Sequence, residues 1–265
     1  MKVGGKTVLL TGAAGGIGSE MANALASAGA KLILVARNSR KLTALCDQLE
    51  GHGHQAMVID LAMPEGRQEL VQSCADRVDV LINNAGVNHF GMFEEQNEEQ
   101  LRQMLDVNVF VPMALTQALL PALHARSGTV INVGSGFGSI GYPGFCGYSA
   151  SKFALRGFTE ALRRELFDSK VKVQYLGPRA VATEMNPPHV VAMNEELGNG
   201  MDTPKDVAIE LMALLESEKD LRLMGSAERF FAKLNSLFPG LVDSALGKKL
   251  PVIRRKAMAA QGQSG

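Results

Sequence analysis

Short segments rich in Leu, Ile and Val alternate along the chain with longer segments whose apolar residues recur at helical spacing. This pattern predicts strands at 7–10, 31–36, 55–59, 78–82, 128–133, 171–176 and 220–224, and helices near 16–29, 39–51, 64–76, 97–124, 148–168 and 204–217. Strands that alternate with helices are typical of βαβ units and a parallel sheet. The predicted strands are apolar throughout, as expected where helices cover both sheet faces. We therefore expect a three-layer α/β/α domain built on a doubly wound parallel sheet.

Two segments interrupt this alternation. Residues 184–203 contain Pro, Gly and several Met, and we expect a loop or a small lid there. We assign residues 226–265 to a C-terminal helical extension of a single domain that spans 1–225. Between 226 and 256 the extension has seven bases and two acids, a net charge of +5. The pair Pro239-Gly240 divides its apolar residues into two helical stripes, which are Phe230, Phe231, Leu234, Leu237 and Phe238, then Leu241, Val242, Ala245, Leu246 and Leu250.

The composition excludes several classes of protein. The chain has 265 residues, 46% of them apolar and 20% charged, as in ordinary globular proteins. Lys plus Arg and Asp plus Glu both number 27, so the net charge gives no reason to expect a nucleic-acid partner. Cys46, Cys74 and Cys146 fit no disulfide framework, and reduced thiols in the cytoplasm are the simpler interpretation. We expect no signal peptide, no membrane-spanning run and no metal site.

The glycine-rich segment TGAAGGIG, residues 11–18, lies between the first predicted strand and the first predicted helix. Gly12, Gly16 and Gly18 there permit a tight turn and a close approach of the backbone to a pyrophosphate. The helix N-terminus adds free N–H groups and the positive end of a dipole. A purely structural turn is the alternative, but the position after the first strand favours a dinucleotide site.

The end of the second predicted strand distinguishes the two nicotinamide dinucleotides. NAD sites usually place an acid there to bind the ribose 2′-hydroxyl. Here Ala36 stands at that position and Arg37 follows, with Arg40 and Lys41 close by. A carboxylate would repel a 2′-phosphate, whereas a guanidinium can bind one in a fork. A solvated basic turn is the alternative, and the missing acid favours NADP(H).

Tyr148 and Lys152 lie one helical turn apart, but any two residues at that spacing share a helix face. Ser135 follows the fifth predicted strand, at the edge where α/β sheets bind ligands. Asn108 lies inside a predicted helix, where asparagine is a poor former. Each has a structural alternative, as a cap, a packing contact or a solvent-facing side chain. Together they predict carbonyl chemistry in which Tyr148 is the acid and the Lys152 ammonium favours its phenolate.

Five motifs in register give the chain a specific resemblance. TGAAGGIG, NNAG (83–86), VNV (107–109), INVGS (131–135) and YSASK (148–152) resemble those of the short-chain dehydrogenase/reductase family, from Thr7 to about Thr183. The resemblance implies a Rossmann-like fold and a catalytic set of Asn108, Ser135, Tyr148 and Lys152. It also implies cofactor contacts by Gly12, Gly16, Ile17, Gly18, Arg37, Asp60, Leu61, Asn84, Ala85, Gly86, Tyr148, Lys152, Pro178, Val181 and Thr183.

Two departures from the family pattern stand out. The Pro-Gly that usually follows the sixth strand reads Pro178-Arg179, and the usual C-terminal ending is replaced by the basic extension. The family's common tetramer contact is therefore in doubt, although a homodimer or homotetramer is expected. The extension can fold back on the domain, contact another subunit or rest on an anionic membrane surface.

These features predict an NADP(H)-dependent oxidoreductase that acts on a ketone, an aldehyde or a secondary alcohol. The variable segment after Thr183 is fairly apolar, with Met185, Pro187, Pro188, Val190, Val191 and Met193. It therefore favours a hydrophobic substrate. One alternative is a non-catalytic NADP(H) sensor or scaffold on the same fold. Sugar-nucleotide epimerisation is a third hypothesis, which the glycine spacing and the short C-terminal region oppose.

Overall fold

The computed structural model describes residues 1–217 and 219–261. Within them, seven strands form a single parallel sheet with the order β3-β2-β1-β4-β5-β6-β7. The strands are β1 (Thr7–Thr11), β2 (Lys31–Ala36), β3 (Gln55–Val58), β4 (Val80–Asn83), β5 (Thr129–Val133), β6 (Lys172–Gly177) and β7 (Leu221–Leu223). The strand order reverses between β1 and β4, which opens a crevice beyond their carboxyl ends. The predicted doubly wound, Rossmann-like sheet is confirmed.

The helices cover both faces of the sheet. They are α1 (Gly16–Ser27), α2 (Ser39–Gln48), α3 (Pro64–Cys74), α4 (Glu98–Leu105), α5 (Val111–Arg126), α6 (Cys146–Glu165), α7 (Pro188–Glu196), α8 (Pro204–Glu216), α9 (Ser226–Leu237) and α10 (Pro239–Gln261). Side chains of α1, α2 and α8 fill one core, and those of α3, α5 and α6 fill the other. The molecule therefore has the expected three layers.

Successive residues of the central strands enter opposite cores. Val8 and Leu10 of β1 pack in the core under α1 and α8, whereas Leu9 packs in the core under α5. All three are fully buried, and each such side chain contributes about 1.5–3 kcal/mol to folding. This two-sided burial explains why the strands read as continuous apolar runs, and it holds their carboxyl ends rigidly at the crevice.

The helix predicted at 97–124 is one helical run with an irregular middle. A π-helical turn at Asp106–Phe110 separates α4 from α5 within a run that extends from Glu98 to Arg126, so the predicted helix is confirmed. By length and composition the run Glu98–Arg126 also reaches the threshold for a membrane span, contrary to our expectation. Leu115, Leu119 and Leu123 of α5 are buried in the second core, which is how a core helix of a folded domain packs.

The segment 184–203, expected to be a loop or lid, contains the helix α7. Pro188 takes the first helical position, where proline's missing N–H costs nothing, so its presence did not exclude a helix. Val190 and Met193 of α7 are buried against Phe145 and Ile253. Packing against these two side chains stabilises a helix that local sequence alone did not indicate.

The C-terminal extension forms two helices separated at Pro239, as the sequence predicts. The distal part of α10 folds back on α7, because Ile253 and Ala257 are buried and Arg255 forms an ion pair with Glu196. The α9 stripe, in contrast, is largely exposed, and Ala232 is the side chain of α9 that is buried. Residues 262–265 of the predicted extension lie outside the described residues.

Candidate active site

A continuous cavity of about 1220 Å³ follows the carboxyl ends of the strands. Ser135, Tyr148 and Lys152 line it, whereas Asn108 is fully buried outside its lining. The residues predicted to bind a cofactor also line it, namely Gly12, Gly16, Ile17, Gly18, Arg37, Asp60, Leu61, Asn84, Ala85, Gly86, Pro178, Val181 and Thr183. The fold thus brings together positions that are more than 170 residues apart in the sequence.

The glycine-rich turn between β1 and α1 has no room for side chains. Gly12 has a φ of +65°, and a Cβ there would lie 2.8 Å from the Cα of Ala85. A Cβ on Gly18 would lie 2.2 Å from the Gly12 carbonyl oxygen. The first turn of α1 contains no acidic residue, and Gly15 at its N-cap leaves the N–H groups uncapped by any side chain in the described chain. The turn therefore fits a pyrophosphate, which needs close backbone approach and free N–H donors.

Thr11, at the end of β1, holds the glycine turn against the NNAG segment. Its hydroxyl accepts hydrogen bonds from the N–H groups of Asn84 and Ala85, both at 3.0 Å. The Asn84 amide in turn donates to the carbonyls of Thr11 and Gly12. Asn84 therefore braces the turn with its side chain. Thr11 was not among the predicted site residues, although it is the first residue of the TGAAGGIG motif.

Basic side chains surround the end of β2. Arg37 and Lys41 line the cavity, whereas Arg40 lies outside its lining. Lys41 forms an ion pair with Glu184 at 2.8 Å, and this pairing lowers the pKa of the Glu184 carboxyl. Asp60, which follows the neighbouring strand β3, accepts a hydrogen bond from the N–H of Ala62 at 3.0 Å. The β2 end thus presents a guanidinium, with no carboxylate from β2 itself beside it.

Hydrogen bonds to its backbone N–H and carbonyl hold Ser135 in place. Its N–H donates to the hydroxyl of Tyr175 in β6 at 3.0 Å, and that hydroxyl donates to the Ser135 carbonyl at 3.2 Å. The Ser135 hydroxyl accepts from the N–H of Phe137 at 3.1 Å. Tyr175 fills the space beside Gly134, where a Cβ would lie 1.9 Å from its ring. Tyr175 was not among the predicted site residues. The feature that could have indicated it is a single aromatic residue within a predicted buried strand.

Tyr148 and Lys152 lie in the first turns of α6, where Lys152 is buried and Tyr148 is half-buried. Burial raises the pKa of the Tyr148 phenol to about 12, although a hydrogen bond with Ser135 opposes this rise. Burial also lowers the pKa of the Lys152 ammonium to about 8. Lys152 Nζ lies 5.6 Å from the Tyr148 ring centroid and donates to the Val133 carbonyl at 3.1 Å. Burial dominates the pKa of Tyr148 in this structure, and the stabilisation of its phenolate by the Lys152 ammonium stays a prediction.

Asn108 lies in the π-helical turn and forms a fully bonded link. Its side-chain oxygen accepts from the Val87 N–H at 2.8 Å, and its amide donates to the Val87 carbonyl and to the Ser151 hydroxyl. Ser151 donates to the Tyr148 carbonyl at 2.7 Å. Asn108 therefore ties the segment after β4 to the turn of α6 that holds Tyr148. The sequence reasoning did not assign Ser151, the middle member of this link.

Known proteins share both this sequence pattern and this fold. The family model for short chain dehydrogenase matches residues 6–193. The chain belongs to the short-chain dehydrogenase/reductase family. Dehydrogenase/reductase SDR family member 7B from Bos taurus is 33% identical over 254 residues, which cover 88% of this chain and 78% of that relative.

Two solved structures of the short-chain dehydrogenase/reductase family show the same fold with different dinucleotides. A short-chain dehydrogenase from Burkholderia cenocepacia in complex with NADP has a TM-score of 0.81 at 26% identity, covering 93% of this chain and 99% of the other. The 3-ketoacyl-(acyl-carrier-protein) reductase from Brucella melitensis complexed with NADH has a TM-score of 0.76 at 26% identity, covering 83% and 96%. The present chain is thus a member of a nucleotide-binding oxidoreductase family.

In this short-chain dehydrogenase/reductase, the departure at Pro178-Arg179 has a defined structural consequence. The Pro178 carbonyl accepts from the Gly136 N–H at 2.7 Å, which fixes the backbone after β6 beside Ser135. The Arg179 guanidinium forms ion pairs with Asp202 at 2.6 Å and with Glu228 of α9 at 3.8 Å. The hydrogen bond with Asp202 raises the pKa of Arg179. Arg179 thus connects the edge of the sheet to the C-terminal extension.

The remainder of the cavity is mainly apolar. Rings of Phe137, Tyr142 and Phe145 pack around Tyr148, with Phe137 and Tyr142 stacked at a centroid distance of 4.9 Å. Helices α7, α9 and α10 contribute further side chains to its wall. Met185, Pro187 and Val190 of the predicted substrate segment line the cavity, as do Phe231, Val242 and Leu246.

Asn88 and His89, which lie shortly after the NNAG motif, also line the cavity and were not among the predicted site residues. His89 Nε2 lies 2.9 Å from the side-chain oxygen of Gln103, and the Asn88 side-chain oxygen is buried without a partner in the described part of the chain. These groups add polar atoms to the cavity lining.

Proposed function

We propose that this chain is an NADP(H)-dependent carbonyl reductase that acts on hydrophobic ketones or aldehydes. The observation that supports this most strongly is the joint placement of Ser135, Tyr148 and Lys152 in the wall of the cavity that also contains the glycine-rich turn. Each of these side chains has a structural alternative alone. A half-buried phenol with a buried hydroxyl and a buried ammonium, beside a dinucleotide turn, forms the acid–base set that reduction of a carbonyl needs.

The proposed chemistry follows from the protonation states of these side chains. Reduced nicotinamide, when bound, supplies the hydride to the carbonyl carbon. Tyr148, with a pKa of about 12, is protonated at neutral pH, so it can give its proton to the oxygen as negative charge develops there. This transfer is favourable because an alkoxide is a stronger base than a phenolate. The site is therefore set up for reduction at neutral pH.

Ser135 and Lys152 support this proton transfer. The Ser135 hydroxyl lines the same cavity as Tyr148 and can hold the substrate oxygen beside the phenol. Lys152, with a pKa of about 8, is mainly an ammonium at neutral pH and attracts the phenolate that the transfer leaves. Asn108 lies outside the cavity lining, so we propose a positioning role for it through Ser151.

The preference for NADP(H) rests on the end of β2. Arg37 lines the cavity where NAD sites usually carry an acid, and Ala36 occupies the position that the acid would take. The related structures with NADP and with NADH show that the family accepts both dinucleotides. A fork of two guanidinium N–H donors is suited to a 2′-phosphate and has no such partner in NAD.

The proposed substrate is apolar because the cavity beyond Tyr148 is lined by aromatic and aliphatic side chains. Phe137, Phe145 and Val190 line it together with side chains of α9 and α10. Pockets of this kind bind a ligand through its apolar body and orient it through a few polar groups. The 3-ketoacyl reductase among the related structures fits such a substrate class.

We also propose a homodimer through α4, α5 and α6. Leu105, Phe110 and Met113 are large exposed apolar side chains on the α4–α5 run, and Phe153 is exposed on α6. Such a surface is typical of a subunit contact. The replaced C-terminal ending leaves no basis for extending this dimer to the family's common tetramer.

The proposed function is tested by an NADPH-consumption screen over ketones, aldehydes, β-ketoacyl thioesters and steroids, followed by steady-state kinetics with NADPH and NADH. We expect turnover of at least one apolar carbonyl. Clear NADPH binding with no turnover across the panel would favour a non-catalytic sensor. Turnover restricted to small polar carbonyls would contradict the assigned substrate class.

A further inference from the structure

The junction of α9 and α10 exposes four large apolar side chains. Phe230, Leu237, Phe238 and Leu241, which we call the tip patch, have between 59% and 72% of their surface exposed. Phe230 and Leu237 lie seven residues apart and share one face of α9. The buried Ala232 lies on the opposite face. The tip patch therefore points away from the domain, and the domain's own core does not explain it.

Basic side chains accompany the tip patch. Lys233 lies between Phe230 and Leu237 on the same face of α9 and is exposed, as is Lys248, which lies two turns after Leu241 in α10. Within the described residues neither lysine has an ion-pair or hydrogen-bond partner. Asp243 is the acid near the patch, so positive charge is in excess there. Exposed aromatic and aliphatic side chains next to unpaired bases are the features of a surface that binds anionic lipid.

The tip patch also lies beside the substrate half of the cavity. Other faces of the same two helices form a cavity wall through Phe231, Val242 and Leu246. Phe231 lines the cavity and is still 42% exposed, so it marks the rim next to Phe230. The two rings contact each other with centroids 5.6 Å apart. An apolar path therefore leads from the exposed patch to the interior.

We infer that the tip patch docks on an anionic phospholipid surface and that an apolar substrate enters the cavity from that surface. The entry step rests on the proposed carbonyl reductase function, whereas the docking step does not. A second copy of the chain is a poorer occupant, because the exposed Lys233 and Lys248 of the two patches would face each other. An acidic soluble protein would match the charge but has no need of a path into the cavity.

Docking is tested by co-sedimentation of the full chain with phosphatidylcholine vesicles, with and without about 30% phosphatidylserine. We expect binding to the anionic vesicles that weakens as salt is added, and little binding to pure phosphatidylcholine. The double substitution Leu237→Ser and Phe238→Ser should weaken binding at least roughly tenfold, since two exposed apolar side chains are lost. The matched control is Phe167→Ser, because Phe167 is 91% exposed at the far end of α6 and should leave binding unchanged.

A second pair of variants tests the charge. Lys233→Gln should weaken binding to the anionic vesicles roughly fivefold at low salt. The control Lys170→Gln removes an exposed lysine near Phe167 and should leave binding unchanged. Equal binding by wild type and the double variant would overturn the docking inference. So would a loss of self-association in the double variant with no vesicle binding by wild type, which would assign the patch to a subunit contact.

Substrate entry is tested with an apolar carbonyl dissolved in the vesicle membrane and a water-soluble carbonyl in parallel. The double variant should lose turnover of the first in proportion to its loss of binding and keep turnover of the second. Equal turnover of the membrane-borne substrate by both proteins would overturn the entry step. Vesicle binding by a chain that reduces no carbonyl would refute the proposed function and leave docking intact.

Discussion

The hydroxyl of Tyr175 is hydrogen bonded to both ends of the Ser135 peptide backbone. It accepts from the Ser135 N–H at 3.0 Å and donates to the Ser135 carbonyl at 3.2 Å. Both residues are buried, and Gly134 and Gly138 leave the space that the Tyr175 side chain occupies. Tyr175 therefore acts as a positioning residue that holds Ser135 at the edge of the cavity.

Removing this hydroxyl should impair turnover more than cofactor binding. Tyr175→Phe leaves the Ser135 N–H buried and unpaired, which costs about 1–3 kcal/mol. We expect the unfolding free energy to fall within that range and kcat to fall roughly tenfold, with the Kd for NADPH unchanged. A purely structural Tyr175 would lower stability and leave kcat near the wild-type value. If Tyr175 acts through Ser135, adding Tyr175→Phe to Ser135→Ala should lower kcat little further.

The cofactor preference should depend on a single side chain at the end of β2. Arg37→Asp replaces a guanidinium that lines the cavity with a carboxylate, so kcat/KM for NADPH should fall roughly 10- to 100-fold. The matched control is Arg40→Asp, because Arg40 is exposed outside the cavity lining and should leave this ratio nearly unchanged. Equal kcat/KM for NADPH and NADH in the wild type would refute the NADP(H) assignment.

The buried ammonium of Lys152 should make stability depend on pH. Its pKa is about 8 in the folded protein against 10.5 ordinarily, so between these values the unfolded chain holds more protons. The free energy of unfolding therefore rises with pH in this window, and the destabilisation by Lys152 is fully present below pH 8. The wild type should gain about 2 kcal/mol relative to Lys152→Met between pH 7 and pH 9.5.

This difference is measured by urea unfolding of both proteins without cofactor at the two pH values. Because the other titrating groups are common to both proteins, their contributions cancel in the comparison. A difference between wild type and Lys152→Met that stays constant from pH 7 to pH 9.5 would show that Lys152 titrates normally. It would also remove the argument that its ammonium is poised near neutral pH.

The sequence was sufficient for those features that depend on local pattern. The seven strands lie within one or two residues of their predicted positions, because strands buried on both faces must be continuously apolar. The glycine-rich turn could also be predicted, since Gly12 and Gly18 occupy positions where a Cβ would collide with backbone. In both cases the constraint lies in the residue itself or in its immediate neighbours.

Features that depend on distant contacts could not be predicted in this way. The helix α7 forms because Val190 and Met193 pack on Phe145 and Ile253, and nothing local indicates that contact. The π-helical turn places Asn108 where it can bond both Val87 and Ser151, and these partners lie far apart in the sequence. The exposure of the apolar stripe of α9 could not be predicted either, because helical periodicity identifies an apolar face but not the surface that packs against it.

The central claim is that Tyr148 supplies the proton for carbonyl reduction. The most direct measurement compares Tyr148→Phe with wild type, using NADPH fluorescence for binding and single-turnover NADPH oxidation for chemistry, with the carbonyl found by the screen. Tyr148→Phe should bind NADPH like wild type and lose at least roughly a hundredfold in the rate of hydride transfer. A rate within a few-fold of wild type would contradict the account.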